Sequence, residues 1–302
     1  MSQLAAVADA LRFVENHLKE EIGVADMAGA AGYSLYHFSR VFNALVHHTP
    51  YDYLVRRRLS ESTHWLADTD RNIVDIAFEY QFGSHETFSR AFKRMFAVPP
   101  SAHRERCAEA GGVVRPAPYL PPLTAAYLEH INRDRILRPE PVEQPPIVVI
   151  GLMSWVGGPA DISALWGALE RQARSLDHPP EAETFYGVTW YPQDRRGEGS
   201  FYLAGFADPM PDPPGARQPW FHPGLVTKPL PEMACARFVH HGSRSQLVFT
   251  RGYIYHTWFP QSSWDPAFPL EIERGSAGLR PLADDSCPCD ILVPVVRSAA
   301  SQ

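Results

Sequence analysis

The sequence predicts a multidomain protein: an all-α unit holding two helix-turn-helix motifs, then an α+β unit with an internal β-α-β-β pseudo-repeat. Three observations predict it. A polar-faced helical stretch, Ser84–Phe96, has a weaker copy fifty residues upstream, Ser34–Phe42. A proline- and glycine-rich interval follows from about 109 to 146. Beyond it the apolar spacing changes from helical recurrence to runs of strand type.

Taken in order, Leu4, Val7, Leu11, Val14 and Leu18 mark an amphipathic helix that Gly23 ends. Ala25-Asp26-Met27-Ala28 and the turn Gly32-Tyr33 lead into Ser34-Leu35-Tyr36-His37-Phe38-Ser39-Arg40-Val41-Phe42. Thr49-Pro50 opens a helix through Tyr53, Leu54, Leu59 and Trp65 that carries Arg56-Arg57-Arg58. The second copy runs from Val74-Asp75-Ile76-Ala77 through Phe82-Gly83 to a helix capped by Ser84 and stopped by Pro99-Pro100. In it Phe88, Phe92 and Met95 recur at i, i+4, i+7, with His85, Glu86, Ser89, Arg90 and Lys93 opposite. Ser34, Phe38, Ser39, Arg40 and Phe42 match Ser84, Phe88, Ser89, Arg90 and Phe92, so the phenylalanines belong to the core. Seven helices in about a hundred residues are expected.

At 302 residues, 45% apolar and 12% aromatic, the chain can build two domains with sizeable cores. Its longest apolar run, Ile147–Val156, is too short for a bilayer, and the N-terminus has no basic n-region. A cytoplasmic, nucleoid-associated location without membrane contact is therefore expected. Cys107, Cys235, Cys287 and Cys289 read as free thiols. Cys287-Pro-Cys289 lacks a matched second pair, and no histidines are spaced for joint ligation, so no metal and no cofactor are expected. The net charge of −6 argues against nucleic acid, yet residues 1–108 are near neutral, with 12 Lys and Arg against 13 Asp and Glu. Arg40, Arg56–Arg58, Arg90, Lys93, Arg94, Arg104 and Arg106 gather in and after the polar-faced helices, and phosphate binding depends on such clustering.

Residues 4–106 resemble the DNA-binding domain of the AraC/XylS family of bacterial transcription regulators. The resemblance rests on Ile76-Ala77, Phe82-Gly83-Ser84, Phe88-Ser89-Arg90, Phe92-Lys93 and Pro99-Pro100. It implies that both second helices enter successive major-groove segments on one face of the duplex. Tyr36, Ser39, Arg40 and Asn43 would then face DNA from the first, and His85, Glu86, Ser89, Arg90 and Lys93 from the second. The chemistry suits this: arginine can bond guanine O6 and N7, glutamate can accept from cytosine N4, and Arg57 with its neighbours suits phosphate. Gln81 departs from the pattern, standing where many members have glycine.

A DNA-binding unit over 1–108, a proline-rich linker over 109–145 and a second unit over 146–298 are expected. A short helix fits Leu123, Tyr127, Leu128 and Ile131 within the linker. In the second unit, strand 147–152, a helix through Ile162–Leu169 and strands 185–190 and 200–205 flank a turn at 194–199. After a loop at 208–214 the order recurs: strand 233–239, helix 246–259, strands 268–273 and 290–296. With Gly157-Gly158, Leu165-Trp166, Tyr255, Trp258-Phe259-Pro260, Ser263-Trp264 and Pro269-Leu270-Glu271-Ile272-Glu273, this unit resembles the GyrI-like effector-binding domain. The resemblance implies a groove for small aromatic or cationic molecules, as in multidrug binders, with Glu271 at its centre and Trp190, Tyr202, Tyr255, Trp258 and Trp264 as walls. Glu273 stands where relatives commonly have an aromatic residue, and by strand parity faces the same side as Glu271.

The function expected is a sequence-specific DNA-binding transcription regulator modulated by a small ligand, not an enzyme. Its partners would be double-stranded promoter DNA and a small-molecule effector, with RNA polymerase admissible. Two alternatives stay open. Some GyrI-like proteins are hydrolases of reactive small molecules, in which Glu271 would be a general base; or the second unit is a protein-contact module.

Overall fold

The computed structural model describes residues 2–68, 70–110, 119–133, 138–174, 184–191, 199–208, 224–275 and 288–298. They form two units: residues 1–133 with 252–260, and residues 134–251 with 261–302. The expected turn at 194–199, the loop at 208–214, the linker segment 111–118 and Cys287 lie wholly or largely outside the described residues.

In the first unit the Ser2 hydroxyl accepts from the Ala5 amide and caps α1 (Gln3–Asn16). Then come α2 (Val24–Ala30), α3 (Leu35–Val46), α4 (Pro50–Asp68), α5 (Ile73–Glu79), α6 (His85–Phe96) and α7 (Pro100–Ala110). The duplication is geometric. Helix α5 begins 49 residues after α2, whereas α6 begins 50 after α3. The extra residue is in the turn. After α2 Gly32 takes φ 69° and Tyr33 N–H donates to Ala28 O; after α5 Gln81 takes φ 62° and Phe82 N–H donates to Ala77 O. Tyr33 alone then precedes the cap Ser34, but Phe82 and Gly83 precede Ser84. Gln81 thus holds the left-handed position that glycine fills in the first copy, which costs about 1–2 kcal/mol. Its Nε2 donates to Lys19 O at 2.6 Å, offsetting part of that cost. Phe38, Phe42, Phe88 and Phe92 are fully buried, as their spacing requires.

The α4 arginines correct the phosphate-binding role expected of Arg57. Its side chain is 1% exposed, with Nε and Nη2 donating to the Glu15 carboxylate at 2.8 and 2.7 Å, Nη2 to Glu61 and Nη1 to Leu120 O. Arg58 donates to Leu18 O and Glu20 O, and Arg56 to His256 O. These cations brace helices and loops within the unit.

The expected linker is likewise corrected at both ends. Residues 119–133 pack into the first unit, with α8 (Ala125–Ile131) capped by Thr124 and Leu120, Leu123, Tyr127, Leu128 and Ile131 buried. At the other end β1 (Glu140–Gln144) starts the sheet. Residues 252–260, expected in the second unit, also count with the first: a π-helical turn, Ile254–Trp258, places Thr257 Oγ1 3.1 Å from His48 Nε2.

The second unit continues with β2 (Ile147–Val156), α9 (Pro159–Arg174), β3 (Phe185–Trp190), β4 (Ser200–Asp208), β5 (Val226–Leu230), β6 (Met233–His240), α10 (Leu247–Tyr253, its last two residues counting with the first unit), β7 (Trp264–Pro266), β8 (Leu270–Gly275) and β9 (Cys289–Arg297). The antiparallel order is β1-β6-β9-β8-β3-β4-β2-β5, with β7 on β9. The repeats exchange their leading strands: β1 pairs with β6, and β5 with β2. Only Pro145–Pro146 join β1 to β2, and only Pro231–Glu232 join β5 to β6. Six strand spacings separate β1 from β2 in the sheet, about 29 Å if flat. Two linking residues span about 10 Å, so the sheet must curl until its ends approach. Val149, Val188, Leu203, Leu230, Met233, Ile272 and Leu292, drawn from both ends, fill the inside of the curl. Helix α9 covers the other face, with Trp166 and Leu169 against Ile150, Phe185 and Phe206.

Two outcomes test the first unit. Arg57→Ala leaves Glu15 and Glu61 without their buried cation and should destabilise the unit by about 3–5 kcal/mol in denaturant titration. Burial, reinforced by Arg56 and His48, pushes the His256 imidazole down to about 4, and burial also lowers His47 and His103. Because these rings must stay neutral when folded, stability present above pH 6.5 is lost as pH falls towards 4. His256 alone contributes about 2–3 kcal/mol to that loss. Melting temperature should drop across this window, and His256→Gln should flatten the drop.

Candidate functional site

Helices α3 and α6 place their second copies of the same residue types on solvent. Tyr36 is 74% exposed and Arg40 is exposed, its guanidinium carbon 5.8 Å from the centre of the Tyr36 ring. Asn43 is exposed, and the half-buried Ser39 donates to Leu35 O within its own helix. On α6, Glu86, Arg90 and Lys93 are exposed, while His85 and Ser89 are half-buried with Nε2 3.3 Å from Oγ. The helix N-terminus and Ser84 hold the Glu86 carboxyl below the usual range. Among the described residues no ion pair within 4.0 Å holds Arg40, Arg90 or Lys93, whereas Lys19, Arg57 and Arg71 are all paired. The cations of this unit therefore divide into braces and exposed groups.

In the second unit Glu271 and Glu273 face one side of β8, as parity requires, but neither is open. Glu271 is fully buried and its Oε1 accepts from Arg251 Nε at 2.6 Å; Glu273 Oε1 accepts from Arg251 Nη2 at 2.6 Å. Burial pulls the Arg251 guanidinium down, but the two carboxylates outweigh it and hold it well above the ordinary arginine value. Tyr202 O–H donates to Glu273 Oε2 and accepts from Trp166 Nε1–H, each at 3.1 Å. Burial, then the Glu273 charge, pushes the Tyr202 phenol up. Arg244 Nη1 lies 3.5 Å from Glu273 Oε2, with its guanidinium carbon 5.6 Å from the Trp166 ring centre. Gly187 pairs with Glu273 across the β3–β8 ladder. A Cβ there would lie 2.1 Å from Tyr202 Oη and 3.2 Å from Glu273 Oε2, so the phenol occupies the space a side chain would need.

This geometry corrects the expected cation pocket. The acidic pair is matched by Arg251 and Arg244. Of the expected walls, Tyr202 hydrogen-bonds a carboxylate, that of Glu273. Trp190 lies on the opposite sheet face, because its β3 neighbour Thr189 is the residue that pairs with Glu271. Tyr255 and Trp258 count with the first unit and pack on Phe259. Trp264 is half-buried under Arg297, 4.1 Å from its ring centre. Sequence reasoning missed Arg251, Arg244, Trp166 and Gly187 as members of the network. Among the described residues no group of three His, Cys, Asp or Glu can hold a metal ion, and no helix is long and apolar enough to cross a membrane.

The described residues thus combine a duplicated helix-turn-helix unit bearing exposed arginines with a curled α+β unit. The chain belongs to the GyrI-like small molecule binding domain family, which residues 138–296 match, and residues 27–106 match the helix-turn-helix domain of AraC type. The right origin-binding protein of Escherichia coli K12 is 40% identical over 104 residues, covering 34% of this chain and 36% of that one. This chain thus spans about a third of that relative. Regulatory protein SoxS of the same strain is 34% identical over 106 residues, 35% of this chain and 99% of that one. The crystal structure of a transcriptional regulator with an AraC-type DNA-binding domain from Chromobacterium violaceum matches 35% of this chain and 94% of that one, at 25% identity and a TM-score of 0.34.

The packing at Gly187 gives a direct test. Gly187→Ala should displace Tyr202 and cost about 1–3 kcal/mol of stability, the usual penalty of overpacking. Denaturant unfolding would measure it, with the near-ultraviolet dichroism of Trp166 changing in parallel.

Proposed function

We propose that the protein is a sequence-specific transcription regulator: α3 and α6 read promoter DNA, and a small molecule bound within residues 138–296 modulates that binding. The observation that carries the reading is the pairing of Arg40 with Arg90. They occupy one position of a duplicated helix, both exposed and held by no ion pair among the described residues, in a unit whose other arginines are largely engaged internally. Arginine in that setting suits guanine O6 and N7, while Lys93, Ser39 and Ser89 suit phosphate and sugar oxygens. SoxS and the other relatives named above carry regulatory or DNA-binding names, which supports the reading; RNA polymerase is then a natural further partner. Modulation requires that the ligand bind two states of the protein unequally. The hydrolase reading needs Glu271 to reach a water, and its burial against Arg251 counts against that.

Arg90→Ala should weaken binding to the selected promoter by about 1–3 kcal/mol and relax preference at one base pair, measured by fluorescence anisotropy on a panel of substituted sites. Lys93→Ala should instead weaken all sequences alike and lower the slope of log K against log salt by about 1. An Arg90→Ala protein with undiminished base preference would refute the assignment.

A further inference from the structure

The second unit has a depression that the carboxylate network does not touch. It has a volume of about 480 Å³ and lies at one rim of the curled sheet, lined by Met153, Trp190, Phe201, Met233, Phe268 and Lys228 among others. Met153 and Trp190 pack against the same apolar cluster as Val149 and Val188, so the depression continues the inside of the curl. Glu271, Glu273 and Tyr202 occupy the other face of the same strands. Phe201 and Phe268 are 44% and 49% exposed at the mouth, and Trp155, 47% exposed, meets the Phe201 ring edge-on with centres 5.1 Å apart. Exposing several large rings around one hollow is costly for a surface without a ligand. The size falls in the range of small-molecule sites, about 300–1,000 Å³.

Charge then selects the ligand. Lys228 is the charged residue of the lining, exposed on edge strand β5 opposite Val149, and among the described residues no carboxylate lies within 4.0 Å of its ammonium. The acids that would draw a cation are on the far face, already bound by arginine. We propose that this groove is the effector site and that it takes a small aromatic anion, its rings between Trp190, Phe201 and Phe268 and its carboxylate or sulfonate on Lys228. The proposal deepens the ligand reading given above and depends on it only for the regulatory consequence.

Calorimetry of the full chain with naphthalene-2-sulfonate, and with tetraphenylphosphonium as the cationic counterpart, tests it. Saturable one-to-one binding of the sulfonate is expected, weakened about tenfold by Lys228→Glu and by Phe201→Ala, and unchanged in Glu271→Gln. Both groove positions are exposed, and melting curves of the variants would verify the fold; Lys228→Gln provides a milder second variant. Absence of sulfonate binding, or binding that all three groove variants leave intact, overturns the proposal. So does tighter binding of the phosphonium that Glu271→Gln removes. Promoter affinity with and without the sulfonate separates the two claims: binding without any change in promoter affinity upholds the groove and refutes its regulatory role.

Discussion

Two short links decide the architecture of the second unit. Pro145–Pro146 and Pro231–Glu232 each tie a strand at one end of the sheet to a strand near the other, and no flat sheet satisfies both. The curl they impose makes one face an enclosed apolar interior and leaves the other for α9 and the helix bearing Arg251. Every chemical property of the unit follows from that division. Aromatic and thioether side chains collect where the interior opens at its rim, and ionised groups collect outside, where an arginine from α10 can reach both carboxylates.

The first unit obeys a different constraint, that of duplication. Each copy needs a left-handed residue after its first helix, a serine before its second and a left-handed residue at its end. The chain meets the demand with different residues in each copy, Gly32 against Gln81 and His47 against Ala97. Helix α4 lies between the copies and turns its cations inward onto Glu15, Glu61 and backbone carbonyls. The repeated helices α3 and α6 instead carry Arg40, Arg90 and Lys93 on solvent.

How much of this was legible in the sequence follows from the physics of each element. Periodicity and the internal repeat located helices α1 to α6 and α8 and the burial of Phe38, Phe42, Phe88 and Phe92, because one face of each helix must meet the core; α7 was not placed. The same periodicity held a warning about Arg56-Arg57-Arg58: three successive helical residues point about 100° apart, so they cannot all face solvent on a packed helix. Strands β1 and β5 escaped notice because Pro141 and Pro229 speak against a strand; both lie on sheet edges, where a missing N–H is tolerated. Parity placed Glu271 with Glu273. It could not place Trp190, since the face shared by two strands depends on their register, and the register pairs Thr189 rather than Trp190 with Glu271. Arg251 stands twenty residues before Glu271 on a separate element, and no local pattern announces that contact.

The crowding at Gly187 constrains how this unit can diverge. A methyl group there would strike both Oη and Cζ of Tyr202, at 2.1 and 2.8 Å, so exchanging the phenol for phenylalanine would still leave a collision. A lineage that shortens residue 202 first acquires a side chain at 187 at lower cost, and in doing so gives up the partner of Trp166 Nε1. Substitutions at these two sites are thus coupled, and the same change at 187 costs more or less according to what stands at 202.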